Sequence, residues 1–312
     1  MRNWLKGSSS ALNESNDRHH EQYVRQRNPH TCSWLPSHAL FQDWLQPSSS
    51  ASRLWLQAAR GVGKSVICAY AIQHIAQLPS CCSIRQYYTF DEEFSALQAY
   101  RSLAEQLADH VWTQFDDMPE EIHEYTQRSA TSSKKEDVKM VICLLLSRMP
   151  LTYVFLDGLD EECDTEKRWR ELEEVLDFFT EISSADSSRL RLWCSAQDRT
   201  NLRKKLEKEE FKVIRVNKSL NEGDIEVCLA ERISSLETQE LDPGYRALIL
   251  KDLLHKADGR FLWATLMLDL IVDASTLNGV QQLVQQGLPE DYGIYYERKI
   301  QSVDKSQKRL LS

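Results

Sequence analysis

The sequence predicts an α/β fold: a five-stranded, mainly parallel sheet flanked by helices, followed by a small all-α subdomain. Three observations carry this. Short apolar runs of strand length alternate with helical apolar stripes between residues 54 and 216, the pattern of a parallel sheet with right-handed crossovers. The first of these strands passes through a glycine-containing turn directly into a helix. After about residue 220 the strand-like runs cease and only helical stripes follow.

Residues 1–30 are polar, carry the run Ser8-Ser9-Ser10 and mixed charge, and read as a connector. Trp34, Phe41, Trp44 and Leu45 then approximate helical spacing, closed by Pro47-Ser48-Ser49-Ser50. Leu54-Trp55-Leu56 is the first strand, and Lys64 to about Ile75 the helix after it. Ser83 to Phe90 is a second strand, rich in aromatic residues. Leu97, Tyr100, Leu103 and Leu107 share a helix face, 127–136 is a polar loop, and Val138, Val141, Ile142 and Leu145 share the next face. Tyr153-Val154-Phe155-Leu156 is continuously apolar, as a parallel strand covered on both faces should be. A stripe of Trp169, Leu172, Val175, Leu176 and Phe179 marks a further helix, and Leu190–Cys194 and Val213–Val216 supply strands four and five. Helical segments follow near 222–235, 244–256, 260–273 and 279–301. The expected organisation is a core at 31–217, a helical subdomain at 218–303 and a charged tail at 304–312.

Composition narrows the function. At 312 residues, 42% hydrophobic and 27% charged, the chain can bury a sizeable core. Its formal net charge of −9 is the wrong sign for gripping a phosphate backbone, so nucleic acid is not an expected partner. The longest apolar candidate, Phe261–Val272, is broken by Asp269 and falls short of the roughly 18 residues of a membrane span. The N-terminal residues form no signal-peptide core. Eight cysteines without a CxxC pair indicate a reducing, cytoplasmic setting without structural disulfides or zinc. His19-His20 and His30 lack metal-type neighbours, Phe261 and Trp263 read as core, Cys81-Cys82 as buried before the second strand, and the mixed-charge run Arg199–Lys212 as a solvated helix face.

The chemistry is concentrated at two strand ends. Ala58-Ala59-Arg60-Gly61-Val62-Gly63-Lys64-Ser65 fits the phosphate-loop pattern G-x-x-x-x-G-K-[ST], with Ala58 in place of the first glycine. Gly61 and Gly63 permit backbone angles that turn successive N–H groups toward phosphate oxygens. The helix that starts near Lys64 adds its positive N-terminal end. The nucleotide-binding set is therefore Ala59, Arg60, Gly61, Val62, Gly63, Lys64 and Ser65. Lys64 is assigned to the β- and γ-phosphates and Ser65 to Mg²⁺, while Ala58 needs only an ordinary negative φ. The second strand end is Tyr153-Val154-Phe155-Leu156-Asp157-Gly158-Leu159-Asp160-Glu161-Glu162, a Walker B arrangement with Asp157 as the second Mg²⁺ residue, directly or through water. Asp160 and Glu161 are the catalytic candidates, carboxylates able to orient or deprotonate an attacking water. A third strand end, Ser195-Ala196-Gln197-Asp198-Arg199, offers Gln197 or Arg199 as a polar sensor of the γ-phosphate; an ordinary strand end with a helix cap at Asp198 is the competing reading. Together these define a P-loop NTPase core for a purine nucleoside triphosphate with Mg²⁺.

Several strings resemble one family. Trp34 with Trp44-Leu45, Gly61-Val62-Gly63-Lys64-Ser65, Arg101-Ser102-Leu103 with Gln106-Leu107, and Asp157-Gly158-Leu159-Asp160-Glu161 are similar to a NACHT-type module. So are Ala257-Asp258-Gly259-Arg260-Phe261-Leu262-Trp263-Ala264 and Gly287-Leu288-Pro289-Glu290-Asp291-Tyr292. The form it most resembles is the nephrocystin-type N-terminal P-loop domain of filamentous fungi, in the STAND class of signalling ATPases, over about residues 4–303. The resemblance implies a switch. ADP holds a closed form, ATP exchange opens it, and the open form associates with other protein chains, including copies of itself. Family members flank the module with effector and repeat domains, and the 312 residues stop where a winged-helix segment is expected, as a fragment or partial gene product would. Three positions depart from the family pattern: Ala58 for glycine, Arg60 for a frequent proline, and Ser195-Ala196-Gln197 for Ser-Ser-Arg. A neutral Gln197 in the arginine's place removes a charge-assisted contact and implies slow or no hydrolysis, so the chain is at most a slow nucleoside triphosphatase. Two other classes compete with the switch: an interaction scaffold on a degenerate P-loop fold, and a P-loop phosphotransferase with its acceptor site between the two motifs. Base contacts lie outside these motifs, so ATP and GTP are not distinguished.

Overall fold

The computed structural model describes residues 2–79, 81–89, 95–115, 121–122, 134–186, 188–234 and 243–273, with side chains from residue 11 onward. The helix expected near 279–301, the Gly287–Tyr292 string, the tail 304–312 and the loop residues 127–133 lie outside the described residues. The chain divides into two compact units. The first holds Met1–Ala58 and Lys64–Arg215, the second Ala59–Gly63 and Val216–Ser312.

The first unit is built on β1 (Arg53–Gln57), β2 (Cys82–Tyr87), β3 (Thr152–Asp157), β4 (Leu190–Ala196) and β5 (Lys212–Arg215). The strands are parallel in the order β2-β3-β4-β1-β5. Its helices are α1 (Arg2–Gln26), α2 (Ala39–Leu45), α3 (Lys64–Ile75), α4 (Ala96–Gln114), α5 (Lys135–Arg148), α6 (Glu166–Ala185) and α7 (Thr200–Lys208). Alternation along each strand assigns its faces. Val154 and Leu156 of β3, with Leu190, Leu192, Cys194 and Ala196 of β4, join the core formed with α4, α5 and α6. The intervening residues Tyr153, Phe155 and Trp193 belong to the other face and meet Phe41 and Trp44 of α2; the Trp44 ring lies 5.1 Å from Tyr153 and 5.8 Å from Trp193. Those edge-on aromatic contacts add to the area the rings bury.

Caps fix the helix starts. Ser95 accepts the Gln98 N–H at 3.3 Å to open α4, and Thr165 accepts the Arg168 N–H at 3.2 Å to open α6, each satisfying a backbone donor that the helix leaves over.

Several expectations shift. The 1–30 segment, read as a connector, is mostly α1, a 25-residue helix docked through polar side chains. Asn16 is 1% exposed and reaches Gln86 and Ser102, each at 3.1 Å, and it accepts the Tyr87 N–H at 2.9 Å. Asn13 reaches Glu105 at 2.6 Å, and Asp17 pairs with Arg85 at 2.5 Å. This interface is hydrogen-bonded rather than apolar, so hydrophobic periodicity does not reveal it. Lys135 and Glu136, expected in a loop, begin α5, and β2 ends at Tyr87 rather than Phe90. Trp34 lies outside α2, in the turns before it. In α7 the solvated face is interrupted by Lys205, which is 8% exposed and paired with Asp177.

In the second unit, α8 (Lys218–Ser234), α9 (Pro243–Ala257) and α10 (Phe261–Asp273) share a small apolar core of Ile225, Leu229, Ile249, Leu253, Trp263 and Met267 with their neighbours. Arg232 pairs with Asp269 at 2.6 Å across α8 and α10. Among the described residues, no helix is long and apolar enough to cross a membrane, and all eight cysteines are free thiols.

Candidate functional site

Strand parity and register bring the first group together. Asp157 shares the face of Tyr153 and Phe155, and Ser195 that of Trp193; the parallel register sets Asp157 opposite Ser195. Ser195 Oγ donates to Asp157 Oδ1. Ser65, in the first turn of α3, and the Lys64 ammonium both favour the charged form of the same carboxylate. Asp157 is 3% exposed. Burial, the largest influence, outweighs these three and holds its pKa above the ordinary carboxylate value. Burial pushes the phenol of Tyr23 in α1 up to about 12, with Ser65 acting the other way and Asp157 adding to the rise. The Tyr23 ring is 5.3 Å from Tyr87, whose hydroxyl lies 2.8 Å from His20 Nδ1.

The residues after β3 separate the two catalytic candidates. Gly158 adopts φ +81°, and its N–H donates to Ser195 O at 3.0 Å. A Cβ there would stand 2.5 Å from the Tyr88 carbonyl oxygen, which is why the position needs glycine. The following 3-10 turn, Leu159–Glu162, buries Asp160 at 3% exposure, and Asp160 Oδ1 accepts the Gln197 N–H at 2.9 Å. Glu161 is half-buried. Glu162 is 1% exposed; burial raises its pKa to about 7, against the pull of Arg168 Nε at 3.5 Å.

At the start of the loop, Ala58 is buried, its φ is not positive, and its carbonyl accepts from Lys64 Nζ at 3.4 Å. The methyl therefore carries no backbone strain. Ala59 and Arg60 are exposed, Val62 is buried, and Gly61 and Gly63 take φ +78° and +100°, as the motif requires. Within the second unit, the Leu262 N–H donates to Gly61 O at 2.9 Å, and Asn221 Nδ2 donates to Val62 O at 2.9 Å and to Gly259 O at 3.1 Å.

Gln197 is half-buried and engages Asp160 through its backbone, while Arg199 is exposed as the N-cap residue of α7. Asp198 pairs with Arg203 at 2.6 Å instead of capping. The strand-end polar group that touches Asp157 is Ser195. Sequence reasoning passed over Ser195, Tyr23 and Asn221. Period-two parity with Asp157 is a signal for Ser195; no pattern marks the other two.

A hydroxyl beside a buried carboxylate suits Mg²⁺, which takes oxygen ligands and is often held by one carboxylate together with substrate phosphates. Among the described residues, no cluster of three His, Cys, Asp or Glu side chains forms a metal cage, as that mode of binding needs none.

A parallel sheet with β4 between β1 and β3, a glycine loop leading from β1 into α3, and an acid ending β3 is the P-loop NTPase fold. The chain belongs to the family described as Nephrocystin 3, N-terminal, whose model matches residues 30–197. No curated protein matches the chain. Among solved structures it is similar to the ORC1 protein of Aeropyrum pernix in complex with DNA, at 13% identity and TM-score 0.46, covering 90% of this chain and 68% of that one. It is also similar to PCH-2 of C. elegans, at 10% identity and TM-score 0.40, covering 87% of this chain and 64% of that one.

Proposed function

We propose that the chain is a Mg²⁺-dependent ATP/ADP-binding switch module of a STAND-type signalling protein, with slow or no hydrolysis. The observation that carries this reading is the Ser65–Asp157–Ser195 group, in which Ser195 Oγ donates to the acid ending β3 and the hydroxyl opening α3 favours the charged form of the same carboxylate. Ser65 and Asp157 would hold Mg²⁺. Lys64 and the amides of the loop Ala59–Gly63 would take the phosphates. When bound, the metal supplies charge neutralisation at the phosphates.

Of the two candidate carboxylates, Glu161 is the better placed to orient water, because Asp160 is buried and engaged with the Gln197 N–H. Gln197 brings no charge, which supports slow turnover, and Ser195 is the polar group that would report on the metal. Partners in this reading are nucleotide and other protein chains, with nucleotide-dependent self-association. The reading places the module in the cytoplasm.

Lys64→Ala tests it. Titration calorimetry should show Mg·ATP binding by the wild type and none by the variant; equal affinities sink the proposal. The scaffold reading retains one specific support, the substituted loop start at Ala58. Its strain-free backbone weakens that support, and ADP retained on the purified protein would reject it.

A further inference from the structure

In a loop that cradles phosphate with its N–H groups, the carbonyl oxygens point the other way and need partners of their own. In a trans peptide the C=O of one residue and the N–H of the next are antiparallel, so fixing the carbonyl aims the amide. Here both relevant carbonyls are held from the helical segment. Gly61 O accepts the Leu262 N–H at 2.9 Å, and Val62 O accepts Asn221 Nδ2 at 2.9 Å. The peptides concerned are those carrying the Val62 and Gly63 amides, which are thereby turned away from the helices as a pair of adjacent donors.

Asn221 is 1% exposed, and its amide nitrogen is fully used: the second hydrogen goes to Gly259 O at 3.1 Å. Gly259, at φ +77°, lies in the turn that presents Leu262, so one side chain ties the loop to the segment supplying the other clasp. A Cβ on Gly259 would come within 3.0 Å of the Lys218 backbone, so this turn lies tight against the start of α8, the helix that carries Asn221. All of these partners lie beyond residue 197, outside the segment the family model matches.

We propose that Asn221 is a positioning residue for the polyphosphate of the bound nucleotide: it never touches the ligand but pre-aims the Gly63 amide by holding the Val62 carbonyl. The inference rests on the nucleotide-binding reading above. It makes the helical segment part of the phosphate-recognition apparatus.

The test uses the full chain and two variants. Asn221→Leu keeps the volume but removes both donors. Asn221→Asp keeps the shape but sets a carboxylate against two carbonyl oxygens. Calorimetry with Mg·ADP and with Mg·pyrophosphate should show both ligands weakened by about tenfold in Asn221→Leu and further in Asn221→Asp. The matching factor for pyrophosphate, which lacks base and ribose, locates the loss at the phosphates; a general loosening would spare neither ligand's affinity nor the protein's melting temperature. Affinities equal to wild type in both variants overturn the proposal, as does a loss confined to ADP. If neither variant folds, hydrogen exchange on the wild type decides. Saturating ADP should slow exchange of the Leu262 amide along with the loop amides, and protection of 59–65 with unchanged exchange at Leu262 refutes the coupling. A wild type that binds neither ligand rejects the underlying reading as well, a result distinct from a variant that binds as well as wild type.

Discussion

Gly158 joins a positive φ to a close approach, with the Tyr88 carbonyl where a methyl would go. Neither the angle nor the backbone neighbour can give way cheaply, so Gly158→Ala should cost about 2–4 kcal/mol of unfolding free energy, measured by denaturant titration. The adjacent acids should part company under substitution. Asp160→Ala leaves the Gln197 N–H without its acceptor and should destabilise the fold by about 1–3 kcal/mol. Glu161→Gln should leave Mg·ATP affinity and stability near wild type while cutting any measurable turnover about 100-fold. Lys64, Ser65 and Asp157 stand out as candidates in the sequence because the loop pattern has fixed spacing and the acid closes an apolar strand. Ser195 reaches Asp157 across a strand pair instead, and Tyr23 feels Ser65 and Asp157 from a helix with no apolar stripe; neighbours of that kind exist only once the strands are ordered in space.

At the scale of elements, β2 is the edge strand beside β3, and its outward backbone groups are met by side chains. Gln106 both donates to Arg85 O and accepts the Arg85 N–H, each at 2.9 Å. His110 lies 3.2 Å from Ser83 O, and Asn16 takes the Tyr87 N–H. An edge covered in this way offers no template for another chain's strand. Gln106→Ala and Asn16→Ala should each cost about 2 kcal/mol, and the double variant should show concentration-dependent self-association by light scattering. The opposite edge, β5, is protected differently, being four residues long with charged ends. Strongly apolar elements were legible: α3 is read with its observed bounds, and β1, β3 and β4 fall within two residues of theirs. The helix α1 was not legible, because among its described side chains the buried ones are Ser15 and Asn16, polar residues that apolar periodicity rules do not see.

For the molecule as a whole, Glu162 sets a pH dependence of stability. Its native pKa of about 7 exceeds the ordinary 4.5 because burial outweighs Arg168, with Glu161 and Asp164 adding repulsion. Between those two values the native state holds a proton that the unfolded chain has released, so stability falls as pH rises from about 4.5 to 7. The loss is on the order of 3 kcal/mol. Glu162→Gln should remove that slope and melt higher than wild type at pH 8, as followed by thermal denaturation across pH.

The clasp on the loop has a consequence in time. Val62 and Asn221 are 159 residues apart in sequence, and Leu262 is farther still. On a ribosome all five strands have been made once Arg215 is added, yet neither holder of the loop carbonyls exists at that moment. At about 5–20 residues per second, the interval before Leu262 follows is several seconds. The strands can therefore pair before the amides of the loop are aimed, and competence for nucleotide would mature after the core.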